Sequence, residues 1–327
     1  MKKYILIIAL ILGIDVEAFA DSVIFLEHNG SMTSFKAENI NDALEAASNG
    51  DVLYLSEGTY PGFTISKQIS IKGVGPLTVI DGDIEINNSD NVKLTGIFIG
   101  YLDMHFFKVK SPVSDLRISQ CKIIGTSFNA ITENSQIDRC NITSGTYSYE
   151  GLVVGGTYSE TITTDGVNYT YNYPYIKGLT VSNCIVNKYL QIKSVYSNVT
   201  LINCYIDAIL RENSNPYGIT FINSIINSNS ANPLFRKYKM INTAVDFNGK
   251  TLDDSEIIDC YDVTISDYSL ENLTDNNYFG TDKTVIGPYG GNTPYTLVPA
   301  VPRVTKSELK VDPKKQELNA TLTISPK

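Results

Sequence analysis

The stretch LTVSNCIVNKYLQIKSVYSNVTLINCYIDAILRENSNPYGITFINSII, residues 179–226, decides the fold. Within it LTVSNCIV (179–186), VTLINCYI (199–206) and ITFINSII (219–226) align without a gap. Apolar residues alternate, a polar residue follows, then a small Cys or Ser, then a new apolar start. Outward from this core the string recurs as LRISQCKI (116–123), SQIDRCNI (135–142), YKMINTAV (238–245) and SEIIDCYD (255–262), with KLTGIFI (93–99) as an earlier relative. The polar position holds Gln120, Arg139, Asn183, Asn203, Asn223, Asn242 and Asp259, at steps of 19, 44, 20, 20, 19 and 17, and Gly96 stands there in the earlier relative. The step of 44 is one repeat plus an insertion.

A period near 20 built from short alternating segments is too short for helical-hairpin repeats and suits a coil of three strands. Leucine-rich repeats share the period but not the abundance of β-branched residues or the leucine spacing found here. The expected fold is all-β: a right-handed single-stranded parallel β-helix. The polar position then has a physical reason, because turning between strands within a coil requires positive φ, which Gly, Asn and Asp tolerate best. Stacked coils would place Asn183, Asn203, Asn223 and Asn242 in a ladder whose amides bond along the axis. The next residue must be small to point into the narrow interior, which predicts an inward column of Cys121, Cys140, Cys184, Cys204 and Cys260 with Ser224 and Thr243. Coil stacking holds equivalent atoms too far apart for disulfide geometry, so these are expected to be free thiols packed as small apolar groups.

Both ends read as covered. In NINDALEAASNGD, Ile40, Ala43, Leu44 and Ala47 recur at helical spacing behind an Asn39 cap, which predicts a short helix over the first coil. Residues 285–302 are rich in Gly and Pro and leave the repeat, and the tail after Arg303 reads as two strands around Asp312 to Lys315, either a cap or an assembly element. Residues 1–20 combine Lys2 and Lys3, an apolar run from Tyr4 to Ile14 and Ala18-Phe19-Ala20, the pattern of an export signal cleaved after Ala20. Asp15 and Glu17 break the run well short of the about 18 residues that a membrane span needs, so no span is expected in the mature chain. The expected location is the periplasm, the outer surface or the medium. The organisation is thus a signal (1–20), a β-helix domain (21–302) carrying a Tyr-rich insertion (145–178), and a β tail (303–327).

Three segments resemble the pectin-lyase-like superfamily of parallel β-helices, and in particular exported β-helix proteins of Bacteroides-type bacteria. These are the helix followed by GDVLYLSEGTY (50–60), the INC-type repeats, and NNYFGTDKTVIGPYGGNTPYTLVPAVP (276–302). The resemblance implies the fold over residues 30–302. It implies no single activity, since that superfamily spans lyases, hydrolases, adhesins and proteins of unknown role.

Composition narrows the chemistry. With 26 basic and 35 acidic residues the net charge is -9, which argues against nucleic acid as a partner, and only His28 and His105 are available for His-dependent catalysis or metal binding. The polygalacturonase Asn-Thr-Asp and Gly-His-Gly motifs and the paired-Arg motif of pectate lyases are missing, and Asp253-Asp254 reads as a solvated turn. Strand alternation in YLQIKS (189–194), AILREN (208–213) and PLFRKY (233–238) sends Gln191, Lys193 and Arg211 outward, with Arg236 beside them, as a basic stripe able to hold an anionic glycan. Lys193 and Arg211 are the candidate catalytic bases of a lyase; the same residues also read as ordinary cover for an exposed sheet. The insertion carries Tyr169, Tyr171, Tyr173 and Tyr175 on one predicted face beyond an Asp165-Gly166 hairpin turn. Such a row serves sugar or protein contact, or packs on the coil wall. The expected function is noncatalytic binding of carbohydrate or a cell-surface partner, with no metal and no cofactor. The alternative is a lyase or hydrolase acting on an acidic polysaccharide, a lyase drawing on Ca2+.

Overall fold

The computed structural model describes residues 22–100, 107–128, 132–144, 151–154, 158–164, 167–173, 175–192, 196–211, 217–227, 238–246, 256–299, 303–312 and 317–325. Residues 1–20, His105, Lys193, Arg236 and Asp253-Asp254 lie outside them, and with them the export signal and part of the basic stripe.

The repeat folds as a parallel β-solenoid. One 12-stranded sheet begins with the antiparallel strands Ser31–Lys36, Val23–His28 and Val52–Leu55. It continues in parallel through Ser70–Lys72, Lys93–Thr95, Arg117–Ser119, Ser135–Asp138, Tyr175–Ser182, Tyr196–Ile202, Tyr217–Ile222 and Tyr238–Ile241 to Glu256–Ile258. Around the corner, a 13-stranded sheet takes up the second half of each coil. Leu94, Ile118, Ile137, Val181, Leu201, Phe221 and Met240 stand in register across the first sheet and are all buried, so the alternation in the repeat becomes one continuous apolar column.

At every corner the polar repeat position has left-handed backbone: φ is 63° at Gly96, 54° at Gln120, 51° at Arg139, and 45–52° at Asn183, Asn203, Asn223, Asn242 and Asp259. The following residues point inward as expected, and Cys121, Cys140, Cys184, Cys204, Ser224 and Thr243 are fully buried. Each donates to the carbonyl two residues earlier, as in Cys184 Sγ to Ser182 O (3.1 Å) and Ser224 Oγ to Ile222 O (2.9 Å). That shared bond explains why Ser and Thr replace Cys without breaking the column. All five cysteines are free thiols, and Cys260 alone is only half-buried, because it occupies the last coil.

Two expectations are corrected here. The Asn ladder exists in the backbone, but the amides of Asn183 and Asn223, with that of Gln120, bond away from the ladder. Asn183 Nδ2 donates to Pro288 O (3.1 Å) and Gly290 O (2.6 Å), Thr281 N donates to Asn223 Oδ1 (3.0 Å), and Gln120 Nε2 donates to Val298 O (2.8 Å). The Gly- and Pro-rich segment therefore runs back along the ladder as a strap, in the opposite direction to coil addition. It starts at Gly280 against Asn223 and ends with Pro299 against Gly75 and Gly96. The strap and the Leu270–Asp275 helix also bury an outer stripe of the solenoid, where Ile185, Tyr205, Ile225 and Ala244 meet Ile265, Leu273, Val285 and Ile286. The second correction follows: this segment does not close the end of the solenoid. Ile257, in register with buried Met240, is 41% exposed, and Ile258 is 37% exposed.

Candidate functional site

Of the predicted site residues, Lys193 and Arg236 lie outside the described residues, and the others are placed by their strands. Tyr158–Thr164 and Val167–Tyr173 form the expected antiparallel hairpin, with Thr164 paired to Val167 at its tip. Tyr169, Tyr171 and Tyr173 lie on alternate positions of its second strand, but Tyr175 begins a different strand and pairs with Tyr196 in the solenoid wall. The side chains of all four lie outside the described residues. In the basic stripe, an extra residue enters the Ile185–Ile192 strand between Val186 and Tyr189, where Lys188 has φ 84°. The bulge puts this strand one residue out of step with its neighbour, while Leu190 stays buried in the core as the alternation predicts. Arg211 consequently stands beside Ile192, and Gln191 stands beside Leu210. Gln191 is buried at 5% exposure instead of open to solvent.

A concave site lies elsewhere, at the N-terminal end. There the predicted Ile40–Ala46 helix buries Ile40, Ala43 and Leu44 against the first coils. Asn39 makes no side-chain cap, contrary to the sequence reading; the last turn is instead held by Lys67, whose Nζ donates to Leu44 O (2.9 Å), Glu45 O (2.7 Å) and Ala47 O (2.7 Å). A cation on the last carbonyls of a helix is favourable for both the hydrogen bonds and the helix dipole. The helix packs on the strand Gly58–Ile65, and beside that contact lies an open groove of about 720 Å3. Asn41, Glu45, Thr64, Ser66, Lys67, Asp83 and Glu85 supply its polar lining and Leu44 and Phe63 its apolar part.

The floor comes from two adjacent strands. Phe63 pairs with Ile84 and Thr64 with Glu85, after an irregularity at Pro61 to Phe63. The strands approach so closely there that a Cβ on Gly62 would lie 2.6 Å from Asp83 O and one on Gly82 2.4 Å from Gly62 N. Alternation along Thr78–Ile86 buries Ile84 and Ile86 and turns Asp83 and Glu85 outward. The next coil answers with Lys108 and Lys110, which make ion pairs of 2.5 Å to Asp83 and 2.6 Å to Glu85. Each pair joins residues 25 apart in sequence. The groove and its rim thus carry three carboxylates, Glu45, Asp83 and Glu85, against three ammonium groups, Lys67, Lys108 and Lys110. Sequence reasoning missed this site because DGDIEI (81–86) and KVK (108–110) look like ordinary solvated strand faces; the readable signal is opposite charge at a fixed one-coil offset.

Nothing among the described residues groups three or more His, Cys, Asp or Glu side chains as a metal site. His28 Nδ1 is engaged with the carboxylate of Asp51 at 2.9 Å. The thiols are poor nucleophiles, since burial raises Cys121, Cys140 and Cys184 above the ordinary thiol value and pushes Cys204 up to about 12. No family model matches the chain, and neither the curated proteins nor the solved structures contain a match to it.

Proposed function

We propose that this chain is an exported, noncatalytic glycan-binding β-helix of the pectin-lyase-like type, and that the N-terminal groove is its binding site. One observation carries the reading: a groove of about 720 Å3 lined by side-chain hydroxyl, amide, carboxylate and ammonium groups on a rigid sheet. A polyhydroxylated ligand offers donors and acceptors in equal measure, and such a lining answers both. Equal numbers of opposite charges leave no net field to attract a polyanion, so the ligand class is a neutral oligosaccharide. Within this groove a lyase is less well served; the candidate base Arg211 belongs to another strand, Tyr205–Arg211, and Lys193 lies outside the described residues. Lys67 is committed to three carbonyls and Lys108 and Lys110 to carboxylates, whereas a lyase base must reach the proton of a bound uronate.

The test is retention of the immobilised protein on a panel of neutral and uronic-acid oligosaccharides, with release of unsaturated product followed in the same samples. Retention of a neutral glycan is expected, with a loss of about two- to tenfold in Glu85→Ala, since a net hydrogen bond is worth about 0.5–1.5 kcal/mol, and a larger loss in Thr64→Arg, which fills the groove. Retention that survives both changes but falls in Tyr169→Ala or Tyr171→Ala would move the site to the hairpin. Unsaturated product would replace the reading by the lyase.

A further inference from the structure

The last coil of the solenoid presents an apolar and unfilled end. Glu256–Ile258 and Tyr261–Asp262 are the final strands of the two sheets, each paired on one side only. Ile257 continues the column of Leu201, Phe221 and Met240, yet it is 41% exposed, and Ile258 and the half-buried Cys260 flank it. An edge strand backed by exposed core residues is a template for further strand addition.

The same chain carries a segment with the complementary need. Arg303–Asp312 and Glu317–Ser325 pair as an antiparallel hairpin. Its register sets Ser307 opposite Leu322, Leu309 opposite Ala320 and Val311 opposite Leu318, while Glu308 faces Thr321 and Lys310 faces Asn319. Apolar positions therefore fall on one side of the hairpin and polar positions on the other. A two-stranded hairpin is marginal by itself in water and requires a surface for its apolar side.

Reach decides whose end it covers. The strap delivers Pro299 to Gly75 and Gly96, beside the Lys93–Thr95 strand, which lies seven strand positions before Glu256–Ile258. At about 4.8 Å per strand that is roughly 34 Å. The four residues from Pro299 to Arg303 extend at most about 14 Å. With Arg303 at least about 20 Å short of the last strand, the hairpin could approach that strand in its own molecule only by running along the axis, tip first, and not across the axis as an added strand must.

We propose that copies of this chain join head to tail, the C-terminal hairpin of one copy adding to the Glu256–Ile258 edge of the next. The donor and acceptor surfaces differ and sit toward opposite ends of the axis, so the contact is heterologous and repeats without closing. This assembly is independent of what the N-terminal groove binds.

Two full-chain variants test it by sedimentation velocity: Val311→Lys/Leu318→Lys, which spoils the hairpin, and Ile257→Lys/Ile258→Lys, which spoils the acceptor. Ile258→Lys alone serves as the acceptor variant should the double change fail to give a native circular-dichroism spectrum. The parent chain is expected to form a concentration-dependent series of oligomers, and each variant alone to sediment as a monomer. An equimolar mixture is expected to give a 1:1 dimer and nothing larger, since only one intact donor and one intact acceptor remain. A parent that stays monomeric, a single variant that associates like the parent, or a mixture that stays monomeric would overturn the proposal.

Discussion

Cys204 shows how little room a coil leaves for chemistry. Its thiol is enclosed between the Ile202 and Val181 carbonyls, at 3.3 and 3.4 Å, and desolvation pushes its pKa from 9.0 up to about 12. Cys121, Cys140 and Cys184 are raised for the same reason. A thiol-reactive disulfide reagent at mildly alkaline pH should therefore modify Cys260 alone in the native protein, and all five thiols in denaturant. Modification of a second thiol at the same rate would refute the closed column. The shifts also fix a pH dependence. Folded-state values lie above unfolded ones, so between about 9 and about 12 the unfolded chain releases protons that the folded chain retains, and ionisation favours unfolding. The thiols' contribution to stability should be level below about pH 8 and fall progressively as pH rises through that window. Urea titrations at stepped pH would show it, and Cys204→Ser, which retains the bond to Ile202 O that Ser224 makes to its own counterpart, should reduce the slope without unfolding the protein.

Among the elements, the strap is the one that ties distant sequence together, and Asn183 is where its contribution can be separated from that of the turn. The residue does two things: it holds φ at 49°, and its amide donates to Pro288 O and Gly290 O. Asn183→Gly retains the backbone conformation and removes only the amide, leaving two strap carbonyls without that donor, at a cost of about 1–3 kcal/mol. Asn183→Ala removes both and should cost about 1–2 kcal/mol more for a Cβ in left-handed backbone. Chemical denaturation of the pair measures the difference, and equal losses would mean that the turn alone matters. The same contrast explains what the sequence made legible. Alternation, turn residue and small inward residue are local and repeated seven times over, so the solenoid, the corner conformations and the cysteine column could be read from spacing alone. The strap, the bulge at Lys188 and the N-terminal groove depend on contacts between segments far apart in the chain, and no local pattern announces them. Polar Asn side chains at a turn explain the φ; they do not say that a segment a hundred residues later will take up their amides.

For the molecule as a whole, the strap changes how stability is distributed. A solenoid in which each coil touches only its neighbours is quasi-one-dimensional and can fray from an end. Here the segment from Gly280 to Pro299 crosses five strand spacings of the 12-stranded sheet, from Tyr217–Ile222 to Lys93–Thr95, roughly 24 Å, and is bonded at Asn223, Asn183 and Gln120 on the way. It couples coils that do not touch. Hydrogen exchange should accordingly show similar protection in every strand from Lys93–Thr95 to Tyr238–Ile241, with faster exchange only in the exposed Glu256–Ile258 edge. Loosening the strap should turn that plateau into a gradient. Gly280→Val and Gly291→Val are the means, because a Cβ at these positions would meet the Asn223 amide carbon at 2.5 Å and the Asn203 amide nitrogen at 2.4 Å. In the double variant, exchange should accelerate first at Ile225 and Ile226, next at Tyr205 and Ile206, and last toward Leu94, as fraying from the C-terminal end becomes uncoupled from the N-terminal coils. The strand Gly58–Ile65, against which the helix that Lys67 clamps is packed, should keep its protection and with it the shape of the groove. A uniform loss across all coils would instead mean that the solenoid unfolds as one unit whatever holds its side, and that the strap contributes stability without contributing the coupling.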